Sequence, residues 1–171
     1  MKILIETPRL QMREFCLEDT DAVFEFGSNP EVAKYTGDKV TKTKEDARKI
    51  ITDIWLPEYK KYGYARYALI HKADDKLIGF CGLKYEPRLE GPDIGYRMLP
   101  EYWGKGLGTE AAKATLEYAV QTLGLKKIFG EAVAENVASC RILEKLGFVF
   151  EKTYKMEGFV INQYLWRKFS G

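Results

Sequence analysis

The chain has 171 residues, of which 30% are charged, and 27 Lys and Arg residues against 25 Asp and Glu leave a net charge of +2. This length predicts one domain over residues 1–171, able to bury roughly two-thirds of its unfolded surface. The nearly balanced charge argues against a dedicated nucleic-acid-binding protein. Cys16, Cys81 and Cys140 have no zinc-ligand or disulfide pattern, and neither a leader nor an apolar run of about 18 residues is found. We therefore expect a cytoplasmic protein without a membrane segment.

The N-terminal half predicts one strand followed by helices. Residues 9–15 alternate apolar and polar, which indicates a half-buried strand with Leu10 and Met12 inward. Residues 18–21 open a first helix with acidic side chains that suit its positive end. Residues 44–56 predict an amphipathic helix, after which Pro57 either kinks the chain or begins a second helix. Its expected inward residues, three or four apart, are Ala47, Ile50, Ile51, Ile54 and Trp55.

Residues 64–71 and 77–85 predict a β-hairpin around a polar turn. Gly79 and Gly82 lie inside the second strand, where a glycine indicates a bulge or a close backbone neighbour. His71, the one histidine of the chain, is expected in solvent at the hairpin end, with general-base catalysis as the alternative.

Residues 91–112 form the most informative stretch. Residues 94–99 predict a strand that Pro100 ends, and glycines follow at positions 104, 106 and 108. Without Cβ atoms, consecutive backbone N–H groups can turn toward a ligand. A helix from about Thr109 would add its unpaired N–H groups and positive dipole end, and Lys105 a cation. The pattern predicts a phosphate or pyrophosphate site, with a ligand-free turn as the alternative.

Two familiar phosphate motifs fail in this stretch. A dinucleotide fingerprint requires a third glycine where Thr109 stands, and that fold needs more strands than the remaining chain supplies. A Walker loop requires Ser or Thr after its lysine, whereas Gly106 follows Lys105.

The remaining chain predicts a helix, a strand, a short helix and a hairpin. The helix spans residues 109–123, and strand 127–133 should return parallel to strand 94–99. Asn136 as N-cap and Gly147 after the C-terminus delimit the short helix. Ser139 shares its apolar stripe, so its hydroxyl is either a small packed group or a functional one. Residues 148–156 and 160–167 form the final hairpin.

Residues 102–111 resemble the acetyl-CoA signature of the GNAT superfamily of N-acetyltransferases, and within it the RimJ/RimL-like branch that acetylates ribosomal-protein N-termini. The signature glycines fall on Gly106 and Gly108, whereas Trp103 stands where the signature has Arg or Gln. The stretch from Asn136 through Ser139 to Phe148 resembles the family's second motif. Many relatives carry a general-acid tyrosine at the position of Leu143, and the RimJ/RimL-like branch has a serine at that of Ser139.

The resemblance implies an α/β fold with a mixed, mostly antiparallel sheet of about seven strands and helices on both sides. It implies that the central strand and strand 127–133 splay apart around the cofactor. It further implies acetyl transfer from acetyl-CoA to a primary amine, above all a protein N-terminal α-amine, by direct attack. The expected cofactor contacts are Met98, Leu99, Trp103, Gly104, Lys105, Gly106, Leu107, Gly108, Thr109, Asn136 and Ser139.

For the chemistry, the resemblance implies that Ser139 protonates or hydrogen-bonds the departing thiolate. An N–H near Leu99 would polarise the thioester carbonyl. Asp93, Glu131 and Glu157 are the candidate bases for the ammonium proton. The expected acceptor wall includes Trp55, Tyr59 and Tyr62, with core packing as the alternative for Trp55.

Three other functions stay open: acetylation of a polyamine or aminoglycoside, an acyl-CoA sensor without catalysis, and a purely structural partner-binding domain. The protein is expected to act as a monomer or homodimer.

Overall fold

The computed structural model describes residues 1–35 and 41–169, in which eight strands form one sheet. The strands are β1 (Ile5–Glu6), β2 (Leu10–Arg13), β3 (Arg66–His71), β4 (Lys76–Glu86), β5 (Gly91–Met98), β6 (Lys127–Val133), β7 (Val149–Met156) and β8 (Phe159–Arg167). Their order is β1-β2-β3-β4-β5-β6-β8-β7, and β5–β6 is the parallel pair among antiparallel ones. The predicted α/β class and mixed sheet are confirmed. The eighth strand, β1, has two residues, too few for a periodic pattern.

The described residues form five α-helices that cover the sheet. They are α1 (Thr20–Gly27), α2 (Lys44–Lys49), α3 (Leu56–Tyr62), α4 (Leu107–Gln121) and α5 (Val137–Lys145). Neighbouring residues of β4 show the two faces: Phe80 contacts Phe26 of α1, whereas the Cys81 Sγ lies 3.2 Å from the Thr115 Oγ1 of α4. The core therefore has two layers, with α1 on one face and α4 on the other. No helix in residues 1–35 or 41–169 is long and apolar enough to cross a membrane.

Residues 50–55 join α2 to α3 as a π-helical stretch, and Pro57 lies in the first turn of α3. The proline therefore begins a second helical piece, one of the two predicted outcomes. The expectation that Ile54 faces inward is wrong, because its side chain is 41% exposed. A π-helical turn holds more residues than an α-helical one, which rotates Ile54 away from the predicted stripe.

The two glycines of β4 permit close approach of its neighbours. A Cβ on Gly79 would lie 1.9 Å from the Arg97 carbonyl oxygen, and one on Gly82 would lie 2.5 Å from that of Ala65. The β3–β4 register shifts after Leu69, opposite Gly79. Both predicted features, the bulge and the close neighbour, are confirmed. Gly79 thus brings β4 close to β5, Gly82 brings it close to the start of β3, and the other edge of β5 is left for β6.

That other edge of β5 meets β6 at two positions only, Asp93 opposite Phe129 and Ile94 opposite Gly130. β5 continues to Met98 and β6 to Val133 without further pairing to each other. The two strands therefore diverge, as the resemblance implied, and open a wedge-shaped gap in the sheet.

Candidate active site

The glycine loop leads directly into α4. Gly104 and Gly106 have φ values of +73° and +79°, which favour glycine because a Cβ is strained there. α4 begins at Leu107, two residues earlier than predicted, and its first bond runs from the Glu110 N–H to the Gly106 oxygen at 3.1 Å. The N–H groups of residues 107–109 therefore have no acceptor within the helix. They form a cluster of donors at the positive end of the helix.

The N-terminal segment holds this loop from outside. Arg9 donates from Nη1 to the Lys105 carbonyl at 2.8 Å and from Nε to Glu110 Oε1 at 2.8 Å. The Thr7 hydroxyl donates to the other Glu110 oxygen at 2.6 Å. The Lys105 carbonyl is thus turned toward a cation, so the loop can direct its N–H groups to a ligand. Sequence reasoning missed Arg9 in this role, because it is 96 residues away from Lys105.

Residues 104–109, here called the cradle, have a geometry that fits a pyrophosphate group. A Cβ on Gly108 would lie 3.1 Å from the Tyr96 ring, so a larger residue would close the space where α4 meets β5. Unpaired N–H groups on a helix N-terminus are a recurrent anion site. Lys105 does not line the cavity, and its Nζ lies 5.6 Å from the centre of the Tyr102 ring.

A cavity of about 1060 Å³ occupies the gap between β5 and β6. Nine of the predicted cofactor residues line it: Met98, Trp103, Gly104, Gly106, Leu107, Gly108, Thr109, Asn136 and Ser139. The cavity therefore connects the cradle, the free edge of β5 and the start of α5. Leu99, another predicted contact, is buried and does not line it.

The Leu99 N–H itself is not available for the predicted polarising role. This group donates to the Ile78 carbonyl at 2.9 Å and so belongs to the β4–β5 ladder. Because hydrogen-bonding directions alternate along a strand, the Tyr96 and Met98 backbone groups face the gap instead. The Met98 carbonyl already accepts a hydrogen bond from the Trp103 indole at 2.9 Å. The N–H groups of Tyr96 and Met98 are thus the donors that the gap offers.

Ser139 meets a residue that sequence reasoning missed. Its Oγ lies 3.0 Å from the Tyr96 hydroxyl, and either atom can be the donor. Ser139 is placed by the predicted N-cap, since the Asn136 Oδ1 accepts from its N–H at 3.4 Å. Burial raises the pKa of Tyr96, although the Ser139 bond opposes the shift, so the phenol keeps its proton at neutral pH. The sequence did contain a signal for Tyr96: it lies two residues before the predicted cofactor contact Met98, and therefore on the same face of the strand.

The three predicted carboxylates lie in different surroundings. Glu131 lines the cavity and accepts hydrogen bonds from Arg88 and the Tyr154 hydroxyl. Asp93 does not line it, and its Oδ2 accepts from Arg66 at 3.2 Å. Burial raises the pKa of Asp93 to about 6 against the opposing effect of Arg66. Glu157 is exposed in the β7–β8 turn and also lies off the cavity.

The second half of the cavity lies on the α1 side of the sheet. Arg97 alternates with Tyr96 along β5, so it faces away from Ser139. The charged and large residues that line this half are Glu31, Lys34, Tyr35, Arg97, Glu131 and Met156. The part of the cavity on the cradle side is called the donor half, and the part lined by these charged residues is called the acceptor half.

The predicted aromatic wall is core instead. Trp55 stacks on Phe15 with ring centres 4.1 Å apart, and Tyr62 stacks on Tyr85 at 4.7 Å. The Tyr59 hydroxyl donates to the Arg66 carbonyl and accepts from the Phe15 N–H. Trp55, Tyr59 and Tyr62 do not line the cavity.

His71 departs from its expected position in solvent. Its side chain is only 17% exposed, because it packs against the Tyr102 ring, with ring centres 5.0 Å apart, and lies beside Asp74. Like the three aromatic residues, it does not line the cavity.

Comparison with known proteins defines the class. Residues 9–149 match the family model described as the acetyltransferase (GNAT) domain, so the chain belongs to the GNAT family. The protein is an acyltransferase that uses acetyl-CoA as cosubstrate. Its fold and cofactor are therefore as the resemblance implied.

Individual relatives extend over nearly the whole chain. The chain is similar to "Uncharacterized N-acetyltransferase p20" of Bacillus licheniformis, with 32% identity over 165 residues that cover 93% of this chain and 92% of the relative. A solved GNAT acetyltransferase from Bacillus anthracis has a TM-score of 0.81 and 27% identity, covering 95% of this chain and 97% of its own. A RimL structure in complex with coenzyme A has a TM-score of 0.82 at 17% identity, covers 97% of this chain and 98% of its own, and shares the fold.

Proposed function

We propose that this acetyltransferase acts on the α-amine at the N-terminus of a peptide or protein. The observation that carries the proposal is the cavity between β5 and β6, which has the N–H cradle on one face and a polar half with both charge signs on the other. An acceptor amine that enters from the second face would reach the acetyl end of acetyl-CoA in the gap between β5 and β6. We also propose that residues 1–171 form one domain working in the cytoplasm.

The donor half divides into two sets of backbone groups. The N–H groups of residues 107–109 hold the diphosphate, and those of Tyr96 and Met98 orient the arm that carries the thioester. Bound acetyl-CoA supplies an activated acetyl group that a neutral amine attacks directly, so the chain needs no nucleophilic Ser or Cys. The free thiols Cys81 and Cys140 are both buried, which is consistent with such a mechanism.

Two proton sites flank the gap. Glu131, the cavity-lining member of the three predicted carboxylates, takes the ammonium proton of the acceptor, directly or through water. On the other face, Ser139 donates its hydroxyl proton to the leaving sulfur and is reprotonated by the Tyr96 phenol, and the Tyr96 phenolate recovers a proton from solvent after the products leave. The proton removed on one face is thus balanced by the proton supplied on the other.

A polyamine is the second candidate acceptor. The spermidine N(1)-acetyltransferase of Escherichia coli is 42% identical over 65 residues, which cover 38% of this chain. Against that candidate, the half-buried Arg97 lines the acceptor half, and a cation there repels a multiply charged polyamine. An α-amine on a peptide carries a single positive charge and avoids most of this repulsion. The RimL and ribosomal-protein-S5-alanine acetyltransferase structures support the proposal at the level of fold.

A thiol-release assay tests the acceptor class. The purified protein and acetyl-CoA are incubated with short N-terminal peptides, spermidine and an aminoglycoside, and the acetylated product is identified by mass. We expect turnover of peptides with acetylation at the α-amine. Turnover of spermidine in preference to every peptide would contradict the proposal.

A further inference from the structure

Arg97 lines the acceptor half of the cavity and has no carboxylate partner among the described residues. Its guanidinium carbon lies 5.1 Å from the centre of the Phe80 ring, and within residues 1–35 and 41–169 it forms no hydrogen bond or ion pair. Arg66 lies near the same ring at 5.5 Å but is fully engaged. It donates to the Gly82 carbonyl at 2.7 Å, to the Asp93 carbonyl at 3.0 Å and to the Asp93 carboxylate. Of these two neighbouring arginines, Arg66 therefore pairs with a carboxylate and Arg97 does not.

An unpaired guanidinium in this position needs an explanation. Burial, reinforced by Arg66, lowers the pKa of Arg97 to about 10, so the group is still charged at neutral pH. A planar guanidinium offers five donors in a fork that matches a carboxylate, and the half-buried Arg97 has no carboxylate of the described chain beside it. Since Arg97 lines the cavity, the missing partner belongs to what enters the cavity.

We propose that Arg97 binds a carboxylate of the acceptor, so that the preferred substrate is an amine with a carboxylate close to it. This inference rests on the proposed function and narrows its substrate class. The amine and the carboxylate would bind to groups of opposite sign, because Glu131 and Glu31 line the same half as Arg97. These two carboxylates also disfavour a phosphate, whose higher negative charge they repel more strongly. Arg97 is then the specificity-determining residue of the acceptor site.

Two sources can supply such a carboxylate: the side chain of an acidic N-terminal residue, or the α-carboxylate of a free amino acid. Matched pairs separate them. The first pair is Glu-Ala-Ala-Tyr-amide and Gln-Ala-Ala-Tyr-amide, and the second is alanine and alaninamide. Within each pair the negative charge is removed, and in the second pair the amide also lowers the pKa of the α-amine. The ratio of kcat/KM values is therefore compared between the parent and Arg97→Gln, where the effect of the amine pKa cancels. We expect a ratio of at least about 10 in one pair, the size of one charge-assisted hydrogen bond.

The variant Arg97→Gln should abolish this preference. We expect kcat/KM for the carboxylate member of the preferred pair to fall about 10-fold or more, mainly through KM, with the neutral member changed less than about threefold. Arg97→Lys should retain part of the preference, because the charge remains and the fork is lost. Arg167→Gln removes an exposed arginine at the end of β8 and should leave the ratio unchanged. The Kd of coenzyme A should be the same in all variants.

Calorimetry with the coenzyme A complex supplies a readout without turnover, using the carboxylate member and its neutral partner as ligands. The inference is supported if the carboxylate member binds more tightly and Arg97→Gln removes the difference. It is overturned if both members of both pairs are bound and acetylated equally, or if Arg97→Gln weakens both members alike. That result would leave peptide acetylation intact, whereas the absence of turnover with every amine would overturn the proposed function itself.

Discussion

The Tyr96 hydroxyl lies 3.0 Å from the Ser139 Oγ, which joins the free edge of β5 to the first turn of α5. The family resemblance implies a general-acid tyrosine on the helix itself, at the position where this chain has Leu143. Here a phenol approaches from the strand on the opposite side of the gap and bonds to the helix hydroxyl. The pair therefore brings two exchangeable protons to the place where the cofactor sulfur is expected.

The first prediction concerns this pair. Ser139→Ala and Tyr96→Phe should each lower kcat by about 10-fold to 100-fold, with little change in the KM for acetyl-CoA. The double variant should be hardly slower than the worse single variant, because both residues act on one proton path. Steady-state kinetics on the four proteins measures the coupling. Fully additive losses would show that the two hydroxyls act independently.

The second prediction concerns the cradle. Gly106→Val should raise the KM for acetyl-CoA about 10-fold or more, because it strains the loop and displaces N–H groups that bind the diphosphate. Gly63→Val is the matched control, since Gly63 also has a left-handed φ, +81°, with open space around it, and lies off the cavity. Both variants should lose similar stability, about 1–2 kcal/mol, in denaturant unfolding. Equal KM values in the two variants would contradict a pyrophosphate site at Gly106.

The third prediction concerns Glu131. Glu131→Gln should lower kcat at pH 7, and the loss should shrink as the pH rises past the pKa of the acceptor α-amine, about 8. An amine that is already neutral needs no base, which is the physical reason for the recovery. Glu157→Gln removes an exposed carboxylate and should show no loss at any pH. A deficit of Glu131→Gln that is constant with pH would assign Glu131 to positioning.

The fourth prediction contrasts the two arginines beside Phe80. Arg66→Met leaves the buried Asp93 carboxylate without its cation and should lower the free energy of unfolding by about 3–5 kcal/mol. Arg97→Met leaves no group of the described chain unpaired and should stay within about 1 kcal/mol of the parent. Both variants lose a cation–π contact with the same ring, so that effect largely cancels. Denaturant titration measures both, and equal losses would contradict the assignment of Arg97 to ligand binding.

The fifth prediction concerns pH and Asp93. Its pKa is about 6 in the folded protein and about 3.9 in an unfolded chain. Between these values the folded state holds a proton that the unfolded state has lost, so the contribution of Asp93 to stability falls as the pH rises. Asp93→Asn should therefore gain stability relative to the parent between pH 4 and pH 6.5, measured by denaturant unfolding. The opposite trend would mean that Arg66, which lowers this pKa, outweighs burial.

Local chemistry made much of the architecture predictable. The loop glycines, the Asn136 cap and the glycine after α5 act through backbone geometry within a few residues, and the structure has them as expected. In α4, Ala112, Leu116 and Ala119 follow one another at helical spacing and are buried against the core. Such features depend on spacing that the sequence displays directly.

The parts that sequence reasoning missed depend on contacts between distant residues. Tyr96 and Ser139 are 43 positions apart, and the Leu99 N–H is occupied because of the register between β4 and β5. Arg97 stands out only once Arg66 is seen to hold the nearby carboxylate. The prediction for Ile54 assumed 3.6 residues per turn. It failed because residues 50–55 form a wider π-helical turn, which the spacing of the apolar residues does not reveal.

The divergence of β5 and β6 has a mechanical consequence. The two halves of the sheet pair at only two positions, where β5 meets β6. Beyond those positions, the backbone N–H groups that face the gap exchange hydrogen with water unless they are hydrogen-bonded. The amide-bearing arm of bound acetyl-CoA would supply hydrogen-bond acceptors for the N–H groups of Tyr96 and Met98, which have no partner strand there. Binding of acetyl-CoA would then also be a late step of folding, because it would connect the two halves of the sheet by hydrogen bonds. It would therefore raise the melting temperature of the whole protein.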